Sequence, residues 1–137
     1  MATPFSFEID TLYRLFFSGE VQMINLAIAD GEIGICANHS FFTAPVLSCI
    51  LRIRDDKGDL RLAFISDGIL EVKAKKTVLM VDTAEWPEEI ELERAIAAKE
   101  KAEKEVKEST LPFQLESAKI KLRRAEYRLK AYELRAV

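Results

Sequence analysis

Val81-Asp82-Thr83-Ala84-Glu85-Trp86-Pro87-Glu88-Glu89-Ile90-Glu91 is where this chain changes character. All five glycines lie at or before Gly68, among short runs rich in Val, Ile and Phe. After Pro87 there is no glycine, and charged residues fill almost half of the positions. The first pattern is that of strands and turns, the second that of solvent-exposed helices. A compact β unit carrying a long helical hairpin is suited to positioning or switching a partner rather than to chemistry.

Upstream of the change, Phe5, Phe7 and Ile9 alternate with Ser6, Glu8 and Asp10, as a half-buried strand requires. Phe16-Phe17-Ser18-Gly19-Glu20 reads as a turn into a strand over 21–28, and Asp30-Gly31 as the next turn. Residues 45–53 are mostly apolar and predict one buried strand. Gly58 supplies the positive φ for a hairpin loop at 55–59. Further short strands at 60–66, 69–73 and 77–81 complete a spacing of about eight to twelve residues, which favours an antiparallel sandwich over βαβ units. The turns at Asp30-Gly31, Lys57-Gly58 and Asp67-Gly68 read as turn geometry, not as phosphate loops.

Downstream, Pro87 is placed to open a helix, with Glu88, Glu89, Glu91 and Glu93 near its positive end. Ser109-Thr110-Leu111-Pro112 breaks it, and Pro112 opens a second helix. Leu115, Ala118, Leu122, Ala125, Leu129 and Tyr132 form a two-per-heptad seam facing Ala95, Ala98 and Ala102, with Glu105 out of character on it. The fold class is therefore β + α: an N-terminal antiparallel β-sandwich, residues 1–84, then a C-terminal antiparallel two-helix hairpin, residues 85–137.

Beside the seam the helices share one edge: Arg94, Lys101 and Lys104 on the first, Lys121, Arg124, Arg128 and Arg135 on the second, with Glu108 the only acid among them. Arg94 should lie level with Arg128, and Lys101 with Lys121. Such an edge in a chain of net charge −3 calls for an acidic partner or a phosphate. A second stripe, Ile120, Tyr127 and Leu134 with Leu92, Ile96 and Val106, should pack on the β domain, on a partner, or on each in turn.

Composition excludes other classes. The net acidic charge argues against nucleic-acid binding. No apolar run approaches the ~20 residues of a membrane span, and no signal or transit segment is recognisable. Cys36 and Cys49 read as buried reduced thiols. With His39 they supply neither a zinc ligand set nor a nucleophilic constellation, so neither catalytic nor metal residues are expected.

Taken together, these residues resemble the epsilon subunit of bacterial F-type ATP synthase. The likeness is carried by Phe17-Ser18-Gly19-Glu20-Val21, Ala29-Asp30-Gly31-Glu32-Ile33-Gly34-Ile35, Phe64-Ile65-Ser66-Asp67-Gly68-Ile69-Leu70-Glu71-Val72, Val81-Asp82-Thr83-Ala84-Glu85, Pro87-Glu88-Glu89-Ile90-Glu91 and Arg94-Ala95, in that order. It implies a ten-stranded sandwich and a non-catalytic rotor subunit that binds the gamma subunit and the ring of c subunits. It also implies coupling of proton transport to ATP synthesis, and a hairpin that extends to engage the alpha and beta subunits and inhibit ATP hydrolysis. The location implied is the cytoplasmic face of the cell membrane, as a peripheral protein. No cofactor is required, but some members bind ATP on the folded hairpin as a regulatory ligand, making an ATP-sensing module the alternative reading. The contacts carried over are Glu85, Ile90, Glu91, Arg94, Ala95, Lys101, Arg124 and Arg128. Glu91 stands where the family has Asp, and Lys101 where the ATP binders have Arg. Asn38-His39-Ser40 replaces the usual Pro-Gly-His-x-Pro, which alters the loop expected at the c ring.

Overall fold

A computed structural model describes residues 3–136. Nine strands come first: β1 (Phe5–Asp10), β2 (Leu15–Ile28), β3 (Gly31–Ile35), β4 (Phe42–Val46), β5 (Cys49–Asp55), β6 (Leu60–Ile65), β7 (Gly68–Val72), β8 (Thr77–Val81) and β9 (Ala84–Glu85). A 3-10 turn (Pro87–Glu89) leads to α1 (Leu92–Glu108), and α2 (Pro112–Glu133) follows after a short break.

The long strand β2 organises the sandwich. Its first half pairs with β1 and its second half with β3 and β5, all antiparallel, while Ile28 pairs with Val46 of β4. β1 also pairs with β8, and β8–β7–β4 leads back to β2. The ladder thus closes around a core of Phe7, Ile9, Val21, Ile24, Leu26, Leu51, Ile53, Leu70 and Leu79, all fully or almost fully buried. Closure removes most of the free sheet edge that would otherwise template aggregation.

Several expectations are corrected here. The β1–β8 pair is parallel, because the chain returns to β1 only after the rest of the sandwich has been laid down. Nine strands are described, not ten. Ser18-Gly19 is not a turn. Gly19 lies within β2 opposite Phe7, and the register shift at Gln22 lets one continuous strand change partners. The run 45–53 is two strands, interrupted at Leu47-Ser48, where the backbone N–H and the hydroxyl of Ser48 both donate to Asp67 Oδ1 at 2.8 and 2.6 Å. Gly31 and Gly58 have φ of 123° and 88° and do serve turns. Gly68 serves a close approach instead, since a Cβ there would lie 2.0 Å from the Met80 carbonyl oxygen. Cys49 is buried, but Cys36 is exposed.

Pro87 opens the 3-10 turn rather than α1. One of its first-turn acids does local work: Glu89 accepts from the Trp86 N–H at 2.8 Å and binds Arg14 through both carboxylate oxygens at 2.9 and 3.1 Å. Trp86 stacks on Phe16 with centroids 4.5 Å apart, and the Arg61 guanidinium lies 3.9 Å over its ring. This turn is stapled to the sandwich before the helices begin.

The hairpin closes as its seam predicts. Ala95 and Ala102 on α1 and Ala118 and Ala125 on α2 are buried, and their small side chains allow close approach. Glu105, which falls on the seam, reaches Lys121 at 3.4 Å. Ala131, off the seam, turns to the sandwich, where it packs with Ile50, Phe64, Ile90 and Ala95. Tyr127 and Leu134 of the second stripe pack there too, while Ile120, Leu92 and Ile96 remain exposed. The stripe is thus divided between the β domain and water.

Candidate functional site

The hairpin lies against the sandwich along β5 and β6, and two adjoining clefts that share Ala98 and Arg128 open beside it, one between sandwich and hairpin and one between the helices. The larger, about 550 Å³, is lined by the β1–β2 turn, the residues after β8 and the inner face of α1. It brings together Glu85, Glu91, Arg94, Ala95 and Arg128, five of the eight residues expected to contact ATP. The smaller, about 210 Å³, lies between the helices and holds Lys101, Arg124 and Arg128. Arg128 lines both, so seven of the eight residues share one continuous region. Ile90, the eighth, lines neither cleft and is buried beneath the junction.

The expected levels hold. Arg94 and Arg128 share the larger cleft, Lys101 and Lys121 the smaller. The ends of the basic edge lie outside the clefts. Lys104 lines neither cleft, and Arg135 folds back on Tyr132, 3.7 Å over its ring. Nor is the edge unpaired, because the sandwich supplies acids that a helical reading cannot see. Arg128 Nε donates to Glu85 Oε1 at 2.7 Å, with both side chains about three-quarters buried, and its guanidinium lies 5.0 Å over Phe64. Arg124 reaches Asp82 at 3.7 Å. Arg94, by contrast, is 84% exposed and only 3.9 Å from Glu91.

Charge separates the clefts. In the larger, Arg14, Arg94 and Arg128 face Glu85, Glu89 and Glu91 and balance them. In the smaller, Lys101, Lys121, Arg124 and Arg128 face Glu105 alone. Thr83 Oγ1 and Arg124 Nε are the two buried side-chain atoms without a hydrogen-bond partner among the described residues, and they belong to residues lining the larger and the smaller cleft respectively. Buried polar groups are normally satisfied, so these two atoms are exceptions to a general rule. Thr11, Tyr13, Arg14, Thr83 and Glu89 line the larger cleft and were not expected there. They come from segments distant in sequence, which no local pattern brings together.

Cys36, Cys49 and His39 lie outside both of these clefts. Burial pushes the Cys49 thiol up, only partly offset by the hydrogen bond from the Ala27 N–H. His39 Nδ1 contacts the Ser40 carbonyl at 2.9 Å, and its ring packs against Phe42. Among the described residues no group of three or more His, Cys, Asp or Glu could hold a metal, and no helix is long and apolar enough to cross a membrane.

A closed β-sandwich with a helical hairpin docked on it through a small apolar patch and a few charged contacts, and with no catalytic constellation among the described residues, has the build of a binding subunit. Residues 4–87 match the family described as ATP synthase, Delta/Epsilon chain, beta-sandwich domain, and residues 88–133 match its long alpha-helix domain. The chain belongs to the ATP synthase delta/epsilon family. It is 45% identical over 129 residues to the ATP synthase epsilon chain of Caldicellulosiruptor bescii, covering 93% of both chains. It is 38% identical to that of Caldanaerobacter subterraneus subsp. tengcongensis, covering 95% of this chain and 94% of the relative. The fold is similar to a chain in the Euglena gracilis mitochondrial ATP synthase structure (OSCP/F1/c-ring), with a TM-score of 0.77 and 22% identity over 93% of this chain and 80% of that one. It is also similar to a chain in the Tetrahymena thermophila central stalk and c-ring structure, with a TM-score of 0.69 and 13% identity over 96% and 98%. As a family member it is a non-catalytic component of a rotary ATP synthase.

Proposed function

We propose that this chain is the epsilon rotor subunit of its ATP synthase. It binds the gamma subunit and the c ring through the sandwich and couples proton transport to ATP synthesis. It is peripheral, on the cytoplasmic face of the membrane, and regulates hydrolysis when its hairpin extends towards the alpha and beta subunits. The nature of the hairpin's attachment supports this. It rests on one small apolar patch and a few charged contacts, a junction that release costs little. Leu92 and Ile96 stay exposed in the folded state and gain cover only elsewhere.

We further propose that ATP is the ligand that favours the folded hairpin. The gathering of seven of the eight expected contact residues around two adjoining clefts carries this reading. The balanced cleft suits the base and ribose, with Glu85, Glu91 and Ala95 at its wall. The cation-rich cleft, with Lys101, Arg124 and Arg128, suits the phosphates. The lysine at 101 gives a point charge where arginine would give a planar fork, so affinity should be modest. The test is a reconstituted enzyme with either the full chain or a chain ending at residue 91. Both should bind gamma and support coupled synthesis, and only the full chain should restrain hydrolysis. Calorimetric titration of the isolated full chain with ATP then decides the ligand. Equal hydrolysis with both chains would overturn the regulatory reading, and a flat titration the nucleotide reading.

A further inference from the structure

α2 carries basic side chains on a second flank, and no ATP contact expected from the sequence lies there. Arg123, Tyr127 and Lys130 face the sandwich across a cleft of about 330 Å³, closed on the other side by Arg52 of β5 and Glu32 of β3. The Arg123 guanidinium is held in place. Its Nε donates to the Ser48 carbonyl at 2.9 Å, and its plane lies 4.7 Å from the Tyr127 ring. Ser48 is itself fixed by Asp67, so the guanidinium is anchored to a rigid point of the sandwich. The Nη groups of Arg123 have no hydrogen-bond partner among the described residues, and neither Arg123 nor Lys130 has a carboxylate partner. Lys130 Nζ lies 5.6 Å from the same Tyr127 ring, and Arg52 reaches Glu32 only at 3.7 Å. Three cations and one acid thus line the cleft.

We propose that this cleft binds a phosphate-type oxyanion, which bridges Arg52 of the sandwich to Arg123 and Lys130 of α2 and latches the hairpin in its folded position. A tetrahedral dianion matches the surplus of two positive charges and can accept from a preoriented guanidinium fork. It also relieves the repulsion that packing three cations together creates. The latch is distinct from the nucleotide clefts, because Arg123 and Lys130 line a different cleft from Arg124 and Arg128.

The test is titration of the full chain with inorganic phosphate at constant ionic strength, balanced with chloride, following the arginine Nε–H and α2 amide resonances. Saturable shifts at Arg123 and slower hydrogen exchange along α2 are expected. Arg52→Ala with Lys130→Ala, which leaves the Arg123–Ser48 bond intact, should weaken binding about tenfold or more. Arg94→Ala with Lys101→Ala should leave it unchanged, which separates failure of this site from failure of the nucleotide reading. A parallel titration with glycerol phosphate identifies the source: tighter binding of inorganic phosphate names the free ion, tighter binding of the monoester a phosphorylated molecule. Arg123 shifts that do not saturate, that chloride matches, or that survive the first double variant would each overturn the proposal.

Discussion

Arg94 and Arg128 look equivalent in the sequence, two arginines level with each other on one basic edge, and the structure makes them unequal. Arg128 is held by Glu85 and packs over Phe64, while Arg94 extends into water. Arg128→Ala should therefore destabilise the docked hairpin by about 1–2 kcal/mol, as a partly buried charge-assisted bond is lost and Glu85 is left behind. Arg94→Ala should change stability by less than about 0.5 kcal/mol. Chemical denaturation of the two variants measures the difference, and equal effects would refute the assignment. Helical periodicity made both residues legible, but it could not show which acid of the β segment would meet them. That depends on a tertiary contact 43 positions away in the chain. Gly68 was misread in the same way, as a turn residue like Gly31 and Gly58. Its real constraint is the Met80 carbonyl packed against it. Gly68→Ala should cost about 1–3 kcal/mol through displaced backbone, read as a lowered unfolding midpoint. A neutral Gly68→Ala would mean that β7 and β8 can part freely.

At the level of elements, periodicity placed β1, the hairpin break before Pro112 and the alanine–leucine seam close to where they lie, because each follows from local pattern alone. What failed was wherever tertiary pairing overrode a local signal. Gly19 runs through a strand because Phe7 lies opposite it, and the 45–53 run breaks because Asp67 binds Ser48. Pro87 opens a stapled turn because Arg14 and Trp86 hold Glu89. That last point bears on where the chain divides. The sequence suggests a boundary between residues 84 and 85, yet Trp86, Pro87 and Ile90 all pack on the sandwich side of the helices. Truncation after residue 91 should leave a folded sandwich that retains its Trp86–Arg61 contact. Truncation after residue 85 should be less stable by about 2 kcal/mol, since Phe16 and Phe17 lose their aromatic cover. Thermal melts of both fragments compare them directly. Identical midpoints would show that the turn belongs energetically to the hairpin and hinges with it.

For the whole molecule, the question is how a folded hairpin can be both ordered and releasable. The sandwich closes on itself around a core of large aliphatic and aromatic side chains, so it does not need the helices to complete its pairing. The helices bury alanines against each other and meet the sandwich mainly through Ile50, Phe64 and Ile90, flanked by Arg123, Arg124 and Arg128. Unfolding the sandwich means exposing its whole core, whereas undocking the hairpin means exposing one patch and rehydrating three arginines. Two opening events of different cost should therefore be visible by native-state hydrogen exchange. Amides of α2 near Ala131 and Tyr127 should exchange through a low-energy opening, while those of β5 near Leu51 and Ile53 should exchange only near the global limit. Raising salt should lower the cost of the first opening and leave the second nearly unchanged, because screening weakens exposed charge pairs and not buried apolar contacts. If ATP is bound as proposed, saturating ATP should act in the opposite direction on the first opening alone, as any ligand that prefers the docked state must. Equal protection of α2 and β5 at low and high salt would make the two parts one cooperative unit, and the hairpin could not then serve as a switch.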